Sequence, residues 1–219
     1  MVRDLGAPNK LGSSRLLTVS LTDYSPILAT IESRASHGIH RRDRASSMAK
    51  TDGQLKLAQS LMEEHRWREA IKLLRENRPL LETDWKLLWN LGWCYFKLER
   101  MDDAGKYLKR AANLAPENHG CKFALGSVYL RKKQYKKAES LLLEALQIKE
   151  SYVARLSLAL AYLEQGKVNE AENTHLDGIR LRPKQSKRFE AYGDFLSDIG
   201  REDEAERMNQ KARALKRLH

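Results

Sequence analysis

The stretch "LLWNLGWCYFKLERMDDAGKYLKRAANLAP", residues 87–116, decides how the rest of the chain is read. Leu88, Leu91, Gly92 and Tyr95 recur at intervals of three and four, so on a helix they form one stripe. "ERMDD" then interrupts the pattern. It is a polar turn, and its acids suit the start of a new helix, where the backbone dipole favours negative charge. A second stripe follows: Ala104, Tyr107, Leu108, Ala111 and Leu114. Pro116 closes the segment, because proline cannot continue a helix. The segment therefore predicts two antiparallel helices joined by a short turn.

Gly92 is the anomaly in this pattern, since a helical glycine costs about 1 kcal/mol against alanine. Paired with the small Ala104, it predicts a close helix–helix approach. A larger side chain there would overpack, at a typical cost of about 1–3 kcal/mol.

The same layout returns along the chain. Alanines that follow a charged turn stand at Ala70, Ala104, Ala138, Ala171 and Ala205, with spacings of 34, 34, 33 and 34. Three further series keep step: Leu80, Leu114, Ile148, Leu181 and Leu215; Leu57, Leu91, Leu125, Leu158 and Tyr192; and the small residues Ala58, Gly92, Gly126, Ala159 and Gly193. Four series in register mark a tandem repeat. The repeat predicts units 51–84, 85–118, 119–151, 152–185 and 186–219, preceded by a tail over 1–50.

This pattern resembles the tetratricopeptide repeat, whose unit is 34 residues long. Unit 85–118 carries the resemblance with Leu88, Leu91, Gly92, Tyr95, Ala104, Leu108, Ala111 and Pro116. The next two units keep Gly126, Tyr129, Ala138 and Leu142, then Ala159, Tyr162, Ala171 and Pro183, although His175 stands where the family has an apolar residue. The outer units depart further, with Asn77 and Asn209 at small or apolar places, as expected of terminal repeats with one neighbour. The period and the Gly/Tyr/Ala/Pro set favour this family over the pentatricopeptide repeat. The resemblance implies an all-α, right-handed α-solenoid of five helix-turn-helix units that serves as a protein-binding scaffold or adaptor.

Composition narrows the functions. The chain carries a net charge of +11, which draws it to polyanions. From residue 48 onward, however, 33 Lys+Arg are interspersed with 25 Asp+Glu, the pattern of solvated helix faces. A basic array that binds nucleic acid is therefore the alternative reading rather than the first, and a self-associating structural array is another. No run approaches the roughly 20 apolar residues that span a bilayer. Cys94 and Cys121 form no CxxC motif and suit reduced thiols in a cytoplasmic setting. The histidines give no HExxH and no zinc spacing, so no metal, no cofactor and no catalytic residue are expected.

The resemblance implies that the first helix of each unit lines a concave surface that receives an extended or helical peptide. Read onto this chain, it gives Lys86, Trp89, Asn90, Trp93 and Lys97 in the second unit. It gives Phe123, Ser127 and Arg131 in the third, and Leu156 and Leu160 in the fourth. Trp89 and Trp93 are expected to be exposed, because the stripe Leu88, Leu91, Gly92 and Tyr95 already supplies a packing face. The clamp with which some family members hold an acidic C-terminus maps onto Leu55, Gln59, Asn90, Gly120 and Ala124, and only Asn90 fits it.

The tail contains Pro8, Pro26, several glycines and the basic run "HRRDR" at 40–44, and is expected to be mostly disordered. Its apolar piece, "RLLTVSLTDYSPILATI", would suit an intramolecular occupant of the groove. The regular pattern begins near Met48, which suggests that residue as an initiator.

Overall fold

The computed structural model describes residues 53–76 and 81–217. The tail, the Met48 start, Asn77 and Leu80 lie outside the described residues. Among those described there are ten helices of four residues or more and no strand. They are α1 (53–63), α2 (Trp67–Arg75), α3 (Trp85–Lys97), α4 (Met101–Leu114) and α5 (His119–Arg131). Next come α6 (Tyr135–Ile148), α7 (Tyr152–Leu163), α8 (Val168–Leu181), α9 (Ser186–Asp198) and α10 (Glu202–Arg217). They fall into two compact bodies, an N-terminal one ending at Lys149 and a C-terminal one beginning at Glu150.

The first helices of three hairpins start at a side-chain cap. Asp84 accepts from the Lys86 and Leu87 amides at the start of α3, Asn118 from Cys121 at α5, and Ser151 from Ala154 at α7. Each cap satisfies an amide that has no partner within its helix. The turns inside the hairpins share one device. A left-handed residue stands at His65, Glu99, Lys133, Gly166 and Gly200, with φ of 60, 58, 58, 75 and 81°. The next amide reaches back across the turn: Arg66 to Leu61, Arg100 to Tyr95, Gln134 to Tyr129, Lys167 to Tyr162 and Arg201 to Leu196, all at 2.8–2.9 Å. This long return bond closes a helix C-terminus. Glycine takes that conformation freely, whereas the first three turns hold it with ordinary side chains.

The N-terminal body packs around Ala58, Ala70, Leu74, Leu91, Ala104 and Leu108, each with no exposed surface. Gly92 makes the predicted close approach, since a Cβ there would lie 2.5 Å from Leu108 Cγ. Gly126 faces Leu142 in the same way, with 3.1 Å to its Cγ. In the C-terminal body Ala171, Leu196 and Ala205 centre a cluster that includes Tyr192 and Phe195.

Two of the repeating series behave differently from a core. Leu57 is 53% exposed, whereas Leu91, Leu125, Leu158 and Tyr192 are buried. Among the described residues no helix precedes α1 to cover Leu57. Leu114, Ile148 and Leu181 are exposed as well, because they close the last turn of their helices beyond the reach of the partner helix. His175, at an apolar place of the pattern, is buried, stacks on Tyr192 at 5.9 Å and lies tilted against Phe195 at 5.0 Å.

Candidate partner-binding face

The first helices were expected to carry the binding residues, and α3 shows how its faces divide. Leu87, Leu88, Asn90, Leu91, Gly92, Trp93, Cys94 and Tyr95 are buried, which leaves Trp85, Lys86, Trp89, Phe96 and Lys97 with partial or full solvent access. Trp89 is half-buried, and its indole Nε1 donates to the Gly120 carbonyl at 3.3 Å, tying α3 to the next first helix, α5.

Trp93 corrects the expectation of an exposed pair. It is 4% exposed and belongs to the same buried cluster as Leu55, Ala58 and Met62 of α1. It is sandwiched in a ladder of rings, 5.8 Å from Trp89 and 5.1 Å from Phe96, nearly parallel to both. The stripe that seemed complete without Trp93 needs it, because α3 is packed on more than one side. Asn90 is also buried and donates from Nδ2 to the Lys86 carbonyl one turn back. Phe123 is buried, and Ser127 is buried with its hydroxyl donating to the Phe123 carbonyl. All four are buried, so none is a free contact in this conformation.

The cations of this face differ in their pairing. Arg131 is exposed and donates to Glu99 at 2.6 Å, and Lys132 pairs with Asp102 at 2.5 Å. Lys97 is half-buried, with Nζ 5.4 Å from the Trp93 ring centre, and makes no ion pair among the described residues. Burial lowers its pKa, as expected of an ammonium taken partly out of water. Cation–π contact with the indole offsets part of that cost.

In the C-terminal body Leu156 and Leu160 are half-buried on α7. They line a shallow surface recess, open to solvent and with room for about one water, together with Leu163, Phe195 and Asp198. A second shallow recess shares Leu156, His175 and Ala191 with it and is bordered by Tyr152, Arg155, Gly178 and Arg188. Here the sequence reading missed a charge cluster. Arg155 donates twice to Glu150, at 3.0 and 2.5 Å, and Arg188 reaches the same carboxylate at 3.4 Å. The signal was Gly178, a small residue whose missing side chain makes room for both arginines: a Cβ there would lie 2.9 Å from Arg155 Cδ and from Arg188 Nη1.

No reactive group stands out at these faces. Burial pushes both thiols, Cys94 and Cys121, up to about 12, so neither is a nucleophile at neutral pH. Among the described residues no group of three His, Cys, Asp or Glu side chains is placed to hold a metal, and no helix is long and apolar enough to cross a membrane.

Comparison with known proteins agrees with the hairpin geometry. The chain is 28% identical over 151 residues to the BBSome complex member BBS4 of Bos taurus, a match covering 68% of this chain and 29% of that protein. The chain thus spans less than a third of that relative's length. Among solved structures, MamA 41-end from Desulfovibrio magneticus RS-1 superposes with a TM-score of 0.66 at 20% identity, over 78% of this chain and 97% of that one. MamA MSR-1 gives a TM-score of 0.60 at 24% identity, over 77% and 95%. These structures share the fold. Two models of the tetratricopeptide repeat match residues 86–151 and 123–186, the segment that holds α3 to α8. With the period, the hairpins and these matches in agreement, residues 86–186 of the chain carry tetratricopeptide repeats.

Proposed function

We propose that the chain is a non-catalytic interaction scaffold, an adaptor whose protein partners lie along the first helices of its hairpins. The repeat family supports scaffolding in general. The observation that carries the finer reading is Lys97. It is a half-buried cation beside the Trp89–Trp93–Phe96 ladder, and the fold supplies it with no carboxylate among the described residues. Holding an ammonium partly desolvated with only a ring for company costs free energy, unless a partner brings the acid. With Lys86 exposed at the other end of α3 and Trp89 half-buried between them, the face suits a segment with apolar side chains and negative charge.

Net charge favours a second reading, nucleic-acid binding. Several exposed cations are already matched by acids: Arg131 with Glu99, Lys132 with Asp102 and Arg180 with Asp177. That is the weaker starting point for phosphate contacts. Capture of partners from nuclease-treated lysate, with wild type and Lys86→Glu/Lys97→Glu compared by quantitative mass spectrometry, separates the readings. The scaffold reading expects discrete proteins that the double variant loses. Captured material that disappears with nuclease, or falls steeply with salt, or is unchanged in the variant, counts against it.

A further inference from the structure

The positive surplus of the chain is unevenly placed. Residues 53–149 carry 19 Lys+Arg and 12 Asp+Glu, whereas residues 150–217 carry 13 and 12. In the N-terminal body much of the surplus stands on the second helices of the hairpins, α2, α4 and α6. We propose that the outward side of these three helices is a docking face for an anionic lipid surface. The inference does not depend on the scaffold reading, since it concerns the other helix of each hairpin and a different kind of partner.

The repeat places the residues. Ala70, Ala104 and Ala138 have no exposed surface and mark the inward side of each second helix. The residues two before, two after and five after each alanine lie on the opposite side, at 3.6 residues per turn. Six of these nine places hold exposed cations: Arg68, Lys72 and Arg75 on α2, Lys106 and Lys109 on α4, and Lys136 on α6. None of the six makes an ion pair among the described residues. The acids of these helices are mostly engaged by cations outside the face. Asp102 is held by Lys132, Glu69 by Arg66, Asp103 by Arg100 and Glu144 by Lys122. Glu76, at the C-cap of α2, is the exposed acid that remains. The three cations of α2 span about 10 Å of helix, close to the Debye length at physiological salt, so they act together on one charged surface.

Leu143 distinguishes the kinds of anion. It is 38% exposed and stands on α6 where α2 has Arg75 and α4 has Lys109. Leu114 and Ile148, which end α4 and α6, are exposed as well. A leucine gains nothing from a phosphate backbone, and none of the nine places holds a ring on which a base could stack. At a bilayer surface the cations meet anionic headgroups, while the leucine enters the boundary between headgroups and acyl chains.

The test is co-sedimentation of the purified full chain with phosphatidylcholine vesicles, with and without phosphatidylserine. Binding is expected on the phosphatidylserine vesicles alone and should fall as salt rises. Arg68→Glu/Lys72→Glu/Lys109→Glu should weaken it about a hundredfold or more, through three cations lost from the surface. Arg182→Glu/Lys184→Glu/Lys187→Glu changes net charge equally on exposed residues of the C-terminal body. It should leave the affinity within about twofold, because distant exposed charges are screened. Leu143→Ser should weaken binding about threefold to tenfold, the loss of a partly buried leucine contact. Circular dichroism checks the fold of each variant. The milder pair Lys106→Gln/Lys136→Gln should cost about tenfold and carries the test if the first triple variant unfolds. Equal losses in the two triple variants would reduce the effect to net charge and overturn the proposal, as would vesicle binding that survives loss of the α2 and α4 cations. Duplex DNA bound more tightly than the vesicles, with the same loss in the first triple variant and none in Leu143→Ser, would assign the face to nucleic acid instead.

Discussion

Gly92 on α3 and Leu108 on α4 meet so closely that a methyl group on Gly92 would lie 2.5 Å from Leu108 Cγ and 3.2 Å from the Leu108 amide nitrogen. Backbone cannot retreat as a flexible side chain can. Gly92→Ala is therefore expected to destabilise the chain by about 1–3 kcal/mol, even though alanine is the better helix former by about 1 kcal/mol. At Gly126 the nearest atom, Leu142 Cγ, would be 3.1 Å away and can yield slightly. Urea unfolding followed by circular dichroism should rank Gly92→Ala below Gly126→Ala. The reverse order would place the tight contact elsewhere.

The five left-handed turn residues make a second prediction. Lys133 is exposed and holds φ 58° with an ordinary side chain. Lys133→Gly should raise stability by about 0.5–1 kcal/mol, because the strain removed exceeds the added freedom of the unfolded chain. Gly166→Ala and Gly200→Ala should lower stability by about 1 kcal/mol each, their φ being 75 and 81°. Denaturation midpoints of the three variants check the signs.

Acid should act through His175. Burial depresses its pKa to about 4 from an ordinary 6.5, and nearby Glu172 only partly opposes this. The unfolded chain therefore binds a proton between pH 6.5 and 4 that the folded one refuses. Stability is highest above pH 6.5, falls as pH drops through that window, and reaches its full loss below pH 4. The size is about 3 kcal/mol for one histidine. His175→Leu should flatten that part of the profile. Unfolding measured from pH 7 to 4 checks it, and equal slopes for wild type and variant would contradict the burial argument.

Much of this fold was legible in the sequence, because a repeat states its period several times over. The alanine series, the Gly92 approach and the helix breaks all follow from residue size and spacing. The turn device was not legible: its left-handed residue is glycine in only two of five hairpins, and His65, Glu99 and Lys133 give no local sign of positive φ. The site was read less well than the fold. Periodicity tells which residues share a side of one helix, but not how many sides neighbouring helices cover. Trp93, Asn90, Phe123 and Ser127 were therefore placed on a surface that packing encloses. Lys86, Trp89, Lys97, Leu156 and Leu160 keep solvent access. The Glu150–Arg155–Arg188 cluster arises between segments far apart in sequence, which the repeat pattern does not describe.

The central claim is that first helices carry the partner. It is tested most directly by hydrogen–deuterium exchange of the full chain with and without a purified captured partner. The account predicts added protection in α3 and α5, or in α7 and α9, and loss of that protection in Lys86→Glu/Lys97→Glu if the partner sits on the N-terminal body. Protection confined to the second helices α4, α6 and α8 would contradict it.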